Sequence, residues 1–253
     1  LPRKKDTRRK RPLSITQYRA NLVNLIGEID EKLWDLILDE YGRTHSQLTR
    51  LDRRIRKFLQ VNGKYIASVD IKRCHPTFIQ TVLPEYISNH KFAYPYSNHS
   101  EYERFFDMVI GQGQDLYTFF LENCPSKSQS DRDSYKVWVQ KYLYDVECMR
   151  NNPVAIYMRQ NFPQIDKIIT SLRETTNDEY KKGGQYLAAK FQKLESDIIY
   201  GACSKLKQEK TIWLAVLHDC IYCETENVHL VETEIRRQFA QRGISCKLEI
   251  SYP

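Results

Sequence analysis

Two short apolar runs, far apart in the chain, each carry an aspartate at a strand end or turn. The first is Lys64-Tyr65-Ile66-Ala67-Ser68-Val69-Asp70, which follows an Asn62-Gly63 turn signal. The second runs from Ile212 to Glu224 and has His218-Asp219 at its middle, so it reads as a β-hairpin with the acid at the turn. Taken alone, each aspartate reads as an ordinary strand-end or turn residue. Two such strands side by side would instead set two carboxylates at one edge of a sheet. That is the minimal device for holding two Mg²⁺ ions about 4 Å apart for in-line phosphoryl transfer.

The rest of the chain allows one sizeable domain, or a core with a lobed insertion, in 253 residues. Lys and Arg number 39 against 32 Asp and Glu, a formal charge of +7 that alone means no more than solubility. Its distribution is more telling. Arg3 to Arg11 is almost continuously basic, and Arg43, Arg50, Arg53, Arg54, Arg56 and Lys57 form a second cluster opposed only by Asp52. Clustered arginines beside an acidic centre suit a phosphate backbone. The seven cysteines read as reduced and mostly buried, which fits an intracellular chain. Cys220 and Cys223 have the spacing of a metal pair, but strand alternation aims them at opposite faces. No apolar run of about 18 residues occurs, so no membrane span is expected.

Periodicity and caps give the organisation. A basic tail covers 1–12. Ser14 can cap a helix running to about Tyr41, with Ile15, Tyr18, Leu22, Leu25, Ile29, Leu33, Leu36 and Ile37 on one stripe. Helices are expected from Pro76 to Val82, Glu101 to Ile110, Asp115 to Asn123, Arg132 to about Arg150, and Pro153 to Leu172 with an interruption at Pro163. After a charged linker ending in Gly183-Gly184, a long helix spans Gln185 to Lys207, and another carries Val228, Val231, Ile235 and Phe239. The last strand alternates, with Cys246, Leu248 and Ile250 inward. The expected class is α+β: a small antiparallel sheet backed by helices, with a helical insertion.

Five short segments, in order, resemble the palm and fingers of family A DNA polymerases and the related single-subunit, phage-type RNA polymerases. They are Gly42-Arg43-x-x-Ser46; Asp70-Ile71-Lys72-Arg73-Cys74-His75-Pro76; Arg132-x-x-x-Lys136 with Tyr144; Gln192-Lys193-Leu194-Glu195-Ser196-Asp197-Ile198-Ile199; and His218-Asp219. The resemblance implies a right-hand polymerase palm with helical fingers and a reduced thumb. Its parts are a thumb-like segment at 13–41, palm at 42–83, fingers at 84–182 and palm again at 183–253.

The resemblance also implies roles. Asp70 and Asp219 would bind two Mg²⁺ ions, with Mn²⁺ able to substitute. Arg132 and Lys136 would grip a triphosphate, and Lys136 could protonate the leaving pyrophosphate. Tyr144 and Gln140 would lie near the templating base, and His75 would press on the sugar. Arg43, Gln192, His218, Arg54 and Arg56 would contact the primer-template duplex. The departures are His75 for a glutamate, Gln140 for an aromatic, Asp145 for a glycine, and Cys220 for an acid. Glu195 is not the family's residue at its place and reads as a helix-surface charge, with a third metal-site carboxylate as the alternative. The implied activity is primer extension on DNA, poorly processive unless a partner or a further N-terminal region clamps the duplex; a mobile element, a phage, a plasmid and a defence system all remain open as its setting. The alternatives are an RNA polymerase, primase or template-independent transferase on the same palm, a metal-dependent nuclease, or an inactive nucleic-acid-binding module.

Overall fold

The strand that carries Asp70 is the spine of the sheet. In this computed structural model, residues 14–31, 37–39, 43–83, 99–111, 113–124, 131–147 and 150–253 are described. The basic tail, Gly42, Tyr41, Leu33 and Leu36 therefore lie outside the described residues, as does the aromatic stretch 84–98. The two-residue strands β1 (Ile37–Leu38) and β2 (Thr44–His45) pair with each other. Strand β3 (Gln60–Val61) turns through Asn62 and Gly63, both at positive φ, into β4 (Lys64–Lys72). That left-handed pair is the geometry an Asn-Gly hairpin turn requires.

Strand β5 (Leu214–Leu217) and β6 (Cys220–Glu224) form the second hairpin, and β7 (Lys247–Ser251) closes the chain. All pairings are antiparallel. The order is β3-β4-β6-β5, with β7 on the edge of β4 that β3 also uses. From Ala67 onward, alternation divides β4. Val69 and Ile71 are buried against helices, while Ser68, Asp70 and Lys72 point to the open face.

Among the described residues there are eight longer helices: α1 (Ile15–Asp30), α2 (His99–Ile110), α3 (Leu116–Asn123), α4 (Arg132–Tyr144), α5 (Pro153–Asn161), α6 (Pro163–Glu174), α7 (Gln185–Glu209) and α8 (Val228–Ala240). Helix α8 packs on β4 and β6, α7 packs on α8, and α2 to α6 form the insertion. One continuous apolar core joins them, from Val69 and Ile71 through Phe78, Phe191 and Phe239 to Leu143, Val154 and Ile165. Burial of that core is the main favourable term in folding.

Two helices end earlier than their sequences imply. Ser14 does cap α1, in a reciprocal capping box with Gln17. The helix stops at Asp30 rather than Tyr41, and Ile37 and Leu38 are strand residues. Glu28, Asp30 and Glu31 crowd its C-terminal end, where the helix dipole disfavours acids. Its expected apolar stripe is also largely uncovered: Leu25 is buried, but Ile15 is exposed. Helix α4 stops at Tyr144 rather than Arg150. Asp145 leaves the helix in an extended conformation, and its carboxylate accepts the Glu147 amide at 2.9 Å. A short side chain that bonds its own backbone competes with helix continuation here.

Gly184 has φ +84°, and a Cβ there would lie 1.9 Å from the Tyr144 carbonyl oxygen. The Gly-Gly pair is thus a close packing contact on the end of α4 as well as a link.

Candidate active site

The β4–β6 register brings the two aspartates together. Asp70 pairs with Cys220 across the ladder, and the Ile71 amide donates to the Asp219 carbonyl at 3.0 Å. His218 turns the hairpin at φ +53°. Both carboxylates open onto a cleft of about 350 Å³ whose walls include Arg132, Lys136, Gln140, Tyr144, His75, His218 and Arg43. Nine residues singled out from sequence thus share one cleft, although Arg43 and Asp219 stand at opposite ends of the described chain.

The electrostatics are those of a crowded acidic centre. Burial, then the Asp70 and Glu195 charges, push the Asp219 carboxyl up to about 7. Burial also raises Asp70, with Glu249 adding to it and Lys72 and Lys136 opposing. Glu249 faces Asp70 directly across the β4–β7 ladder and is paired with Lys72. Burial lowers the pKa of His218, and the Arg43 charge lowers it further, which favours the neutral ring. The His218 Nδ1 is buried and has no hydrogen-bond partner.

Glu195 is not a surface charge. It is 2% exposed and lies in the cleft wall. Arg43 grips it with two hydrogen bonds of 2.8 Å each, and His75 Nε2 lies 3.1 Å from it. Burial works against its ionisation, but the hydrogen bonds from His75 and Arg43 outweigh that and hold the carboxyl below its ordinary value. On the other side of the ring, the Tyr144 hydroxyl meets His75 Nδ1. Burial raises the Tyr144 pKa far above its usual value, so the phenol keeps its proton and donates. With the Tyr144 hydroxyl donating to Nδ1, the hydrogen bond to Glu195 places a proton on Nε2. The result is a chain of polar contacts, Tyr144–His75–Glu195–Arg43, that ties α4 to α7 and to the segment after β1. The guanidinium that the resemblance directs to a duplex groove is committed to this chain.

The cationic stripe of α4 behaves as its spacing implies. Positions 132, 136 and 140 are exposed along the cleft, while Tyr135, Val139, Tyr142 and Leu143 are buried beneath them. Lys136 lies close enough to Asp70 to favour its charged form. Arg132 donates twice to Asp115, at 2.9 and 3.2 Å, and sits 5.1 Å from the centre of the Tyr117 ring.

A second cleft, of about 380 Å³, lies beyond the carboxylates. Asp70, His218 and Asp219 line both. Arg56, Lys57, Tyr222 and Tyr252 add cations and rings to the second. Cys220 opens to this side, while Cys223 is fully buried in the core, as alternation requires. Arg54 stands apart from both clefts, held by Asp52 at 2.8 Å. Gln192 also lies outside them, with a buried side-chain oxygen that has no partner. The six described cysteines are all free.

Among the described residues, two donor sets could hold a cation. The Cys74 thiol and carboxylate oxygens of Glu195 and Asp219 lie within 4.8 Å of one another. Glu195 is already neutralised by Arg43, so this trio offers little unspent charge. Asp70 and Asp219 offer hard oxygen donors in mutual repulsion, which fits a divalent cation such as Mg²⁺. Sequence reasoning missed Asp115, Glu249 and the burial of Glu195. Asp115 was legible only as a helix cap.

Compared with protein-family models and with curated protein sequences, the chain matches none. Among the described residues, no helix is long and apolar enough to cross a membrane.

Proposed function

We propose that this chain is a template-directed nucleotidyltransferase, a DNA polymerase that extends a primer with nucleoside triphosphates. The observation that carries the reading is the shared cleft: Asp70 and Asp219 on one wall, and the Arg132–Lys136–Gln140–Tyr144 stripe on the other. Phosphoryl transfer needs that juxtaposition, because negative charge builds on phosphate oxygens and fixed cations stabilise it. A two-aspartate nuclease leaves the stripe without a task.

Asp70 and Asp219 would hold the Mg²⁺ ions, and the chemistry supplied there is activation of an attacking hydroxyl and neutralisation of phosphate charge. Arg132 and Lys136 bind the triphosphate, and Lys136 hands a proton to the departing pyrophosphate. Tyr144 and His75 form the wall nearest the sugar and base, kept in position by Glu195. The second cleft, with Arg56 and Lys57, takes the strand that ends at the carboxylates. Gln192 and Arg54 line neither cleft, and the reading gives them no contact with the reacting strand.

The test is extension of a labelled primer on a DNA template with Mg²⁺, with dNTPs and rNTPs in parallel and Asp70→Ala and Asp219→Ala as controls. Extension with dNTPs that both controls abolish supports the reading. Preference for rNTPs, or addition without template, moves the assignment to the corresponding alternative. Near-normal extension by both variants refutes the carboxylate mechanism. No extension alongside salt-sensitive duplex binding marks a binding module.

A further inference from the structure

Asp115 holds more donors than a helix cap needs. Its Oδ2 accepts the Tyr117 and Thr118 amides at 3.2 Å each, which is the cap of α3. The same carboxylate takes both hydrogen bonds from Arg132, and Arg73 Nη2 lies 3.8 Å away. Two guanidinium groups and a helix N-terminus around one acid make an anion site already filled from within the chain. Asp115, Tyr117, Arg132 and Lys136 all line the cleft. The Tyr117 ring under Arg132 can keep the guanidinium in place when its anionic partner changes.

We propose that Asp115 is a specificity-determining residue: it acts as an internal counter-anion for Arg132, which a nucleotide's phosphate chain must displace to gain that arginine. The proposal rests on the nucleotide-binding reading of the cleft. Its consequence is discrimination by phosphate-chain length. A triphosphate can engage Lys136 and reach Arg132 together, which offsets the displacement. A monophosphate brings fewer oxygens and less charge to offset the displacement, and leaves the Asp115–Arg132 pair closed.

The test is calorimetric binding of dATP and dAMP to the full chain with Mg²⁺. Asp115→Asn removes the charge and keeps an acceptor for the two amides; an unchanged unfolding temperature establishes that the cap survives. The expected result is dATP binding about fivefold tighter in Asp115→Asn, the scale of one partly exposed ion pair. Binding of dAMP stays unchanged, and the gain vanishes in the Asp115→Asn, Arg132→Ala double variant. Unchanged or weaker dATP binding in Asp115→Asn, where the wild type binds dATP and Arg132→Ala weakens it, overturns the proposal and leaves the nucleotide site standing. Equal tightening for dATP and dAMP also overturns it, because general attraction then explains the gain. Failure of both wild type and Asp115→Asn to bind dATP overturns the proposal and the nucleotide reading together.

Discussion

Asparagine in place of Asp219 should make the metal-free protein more stable at pH 8 while abolishing its proposed activity. The folded carboxyl titrates near 7, against an ordinary 3.8, because it is buried beside Asp70 and Glu195. Between those pH values the folded chain keeps a proton that the unfolded chain releases. Stability from this group is therefore complete below about pH 4, falls as pH rises towards 7, and is flat above. At 1.36 kcal/mol per pH unit, the full difference is about 4 kcal/mol. Relaxation around the charge reduces it, so a gain of about 2 to 4 kcal/mol is expected for Asp219→Asn at pH 8 in EDTA. The assay is urea denaturation of both proteins at pH 8 and 4.5. At the lower pH the gain should fall to about 1 kcal/mol or less. An asparagine variant that is equally or less stable than wild type at pH 8 would refute the reasoning. Saturating Mg²⁺ should stabilise the wild type at pH 8 and do little for the variant.

Four further outcomes follow from the geometry. Glu195→Gln leaves Arg43 without its charged partner and should cost about 2 to 3 kcal/mol in denaturant unfolding. Tyr144→Phe removes one hydrogen bond to His75 and should cost about 1 kcal/mol by the same measurement. Gly184→Ala meets both a positive φ and the Tyr144 carbonyl, and should lose about 3 kcal/mol, read as a drop in unfolding temperature. Lys136→Ala should raise the KM for dNTP about ten- to a hundredfold in steady-state extension; an unchanged KM would remove it from the phosphate site.

What the sequence disclosed depended on how local the signal was. The β4 strand, the His218-Asp219 turn and the α4 stripe each lie within a dozen or so residues, and periodicity is enough to read them. Glu195 could not be read this way. Its partners Arg43 and His75 stand 152 and 120 residues away, so nothing near it in the chain marks it as buried. Glu249 faces Asp70 only because β7 chooses the free edge of β4, a choice alternation does not dictate. The early end of α4 follows from Asp145 bonding the Glu147 amide and from the packing of Gly184, neither of which entered the expectation of a helix to Arg150.

Arg73 sits one residue after the β4 strand, in a left-handed conformation at φ +54°, with its side chain buried. Its guanidinium donates to the carbonyls of Val109 and Met108 at the end of α2 and to that of Gln114 beyond it. The Asp70 strand and helix α2 are therefore strutted together across a three-way bond. If Arg132 and Lys136 move towards a bound ligand, this strut keeps the end of α2 with the sheet. A hydrogen-exchange experiment on the ligand-bound chain would then show slowed exchange in α3 and α4, while the amides of α2 keep the rates of the free protein.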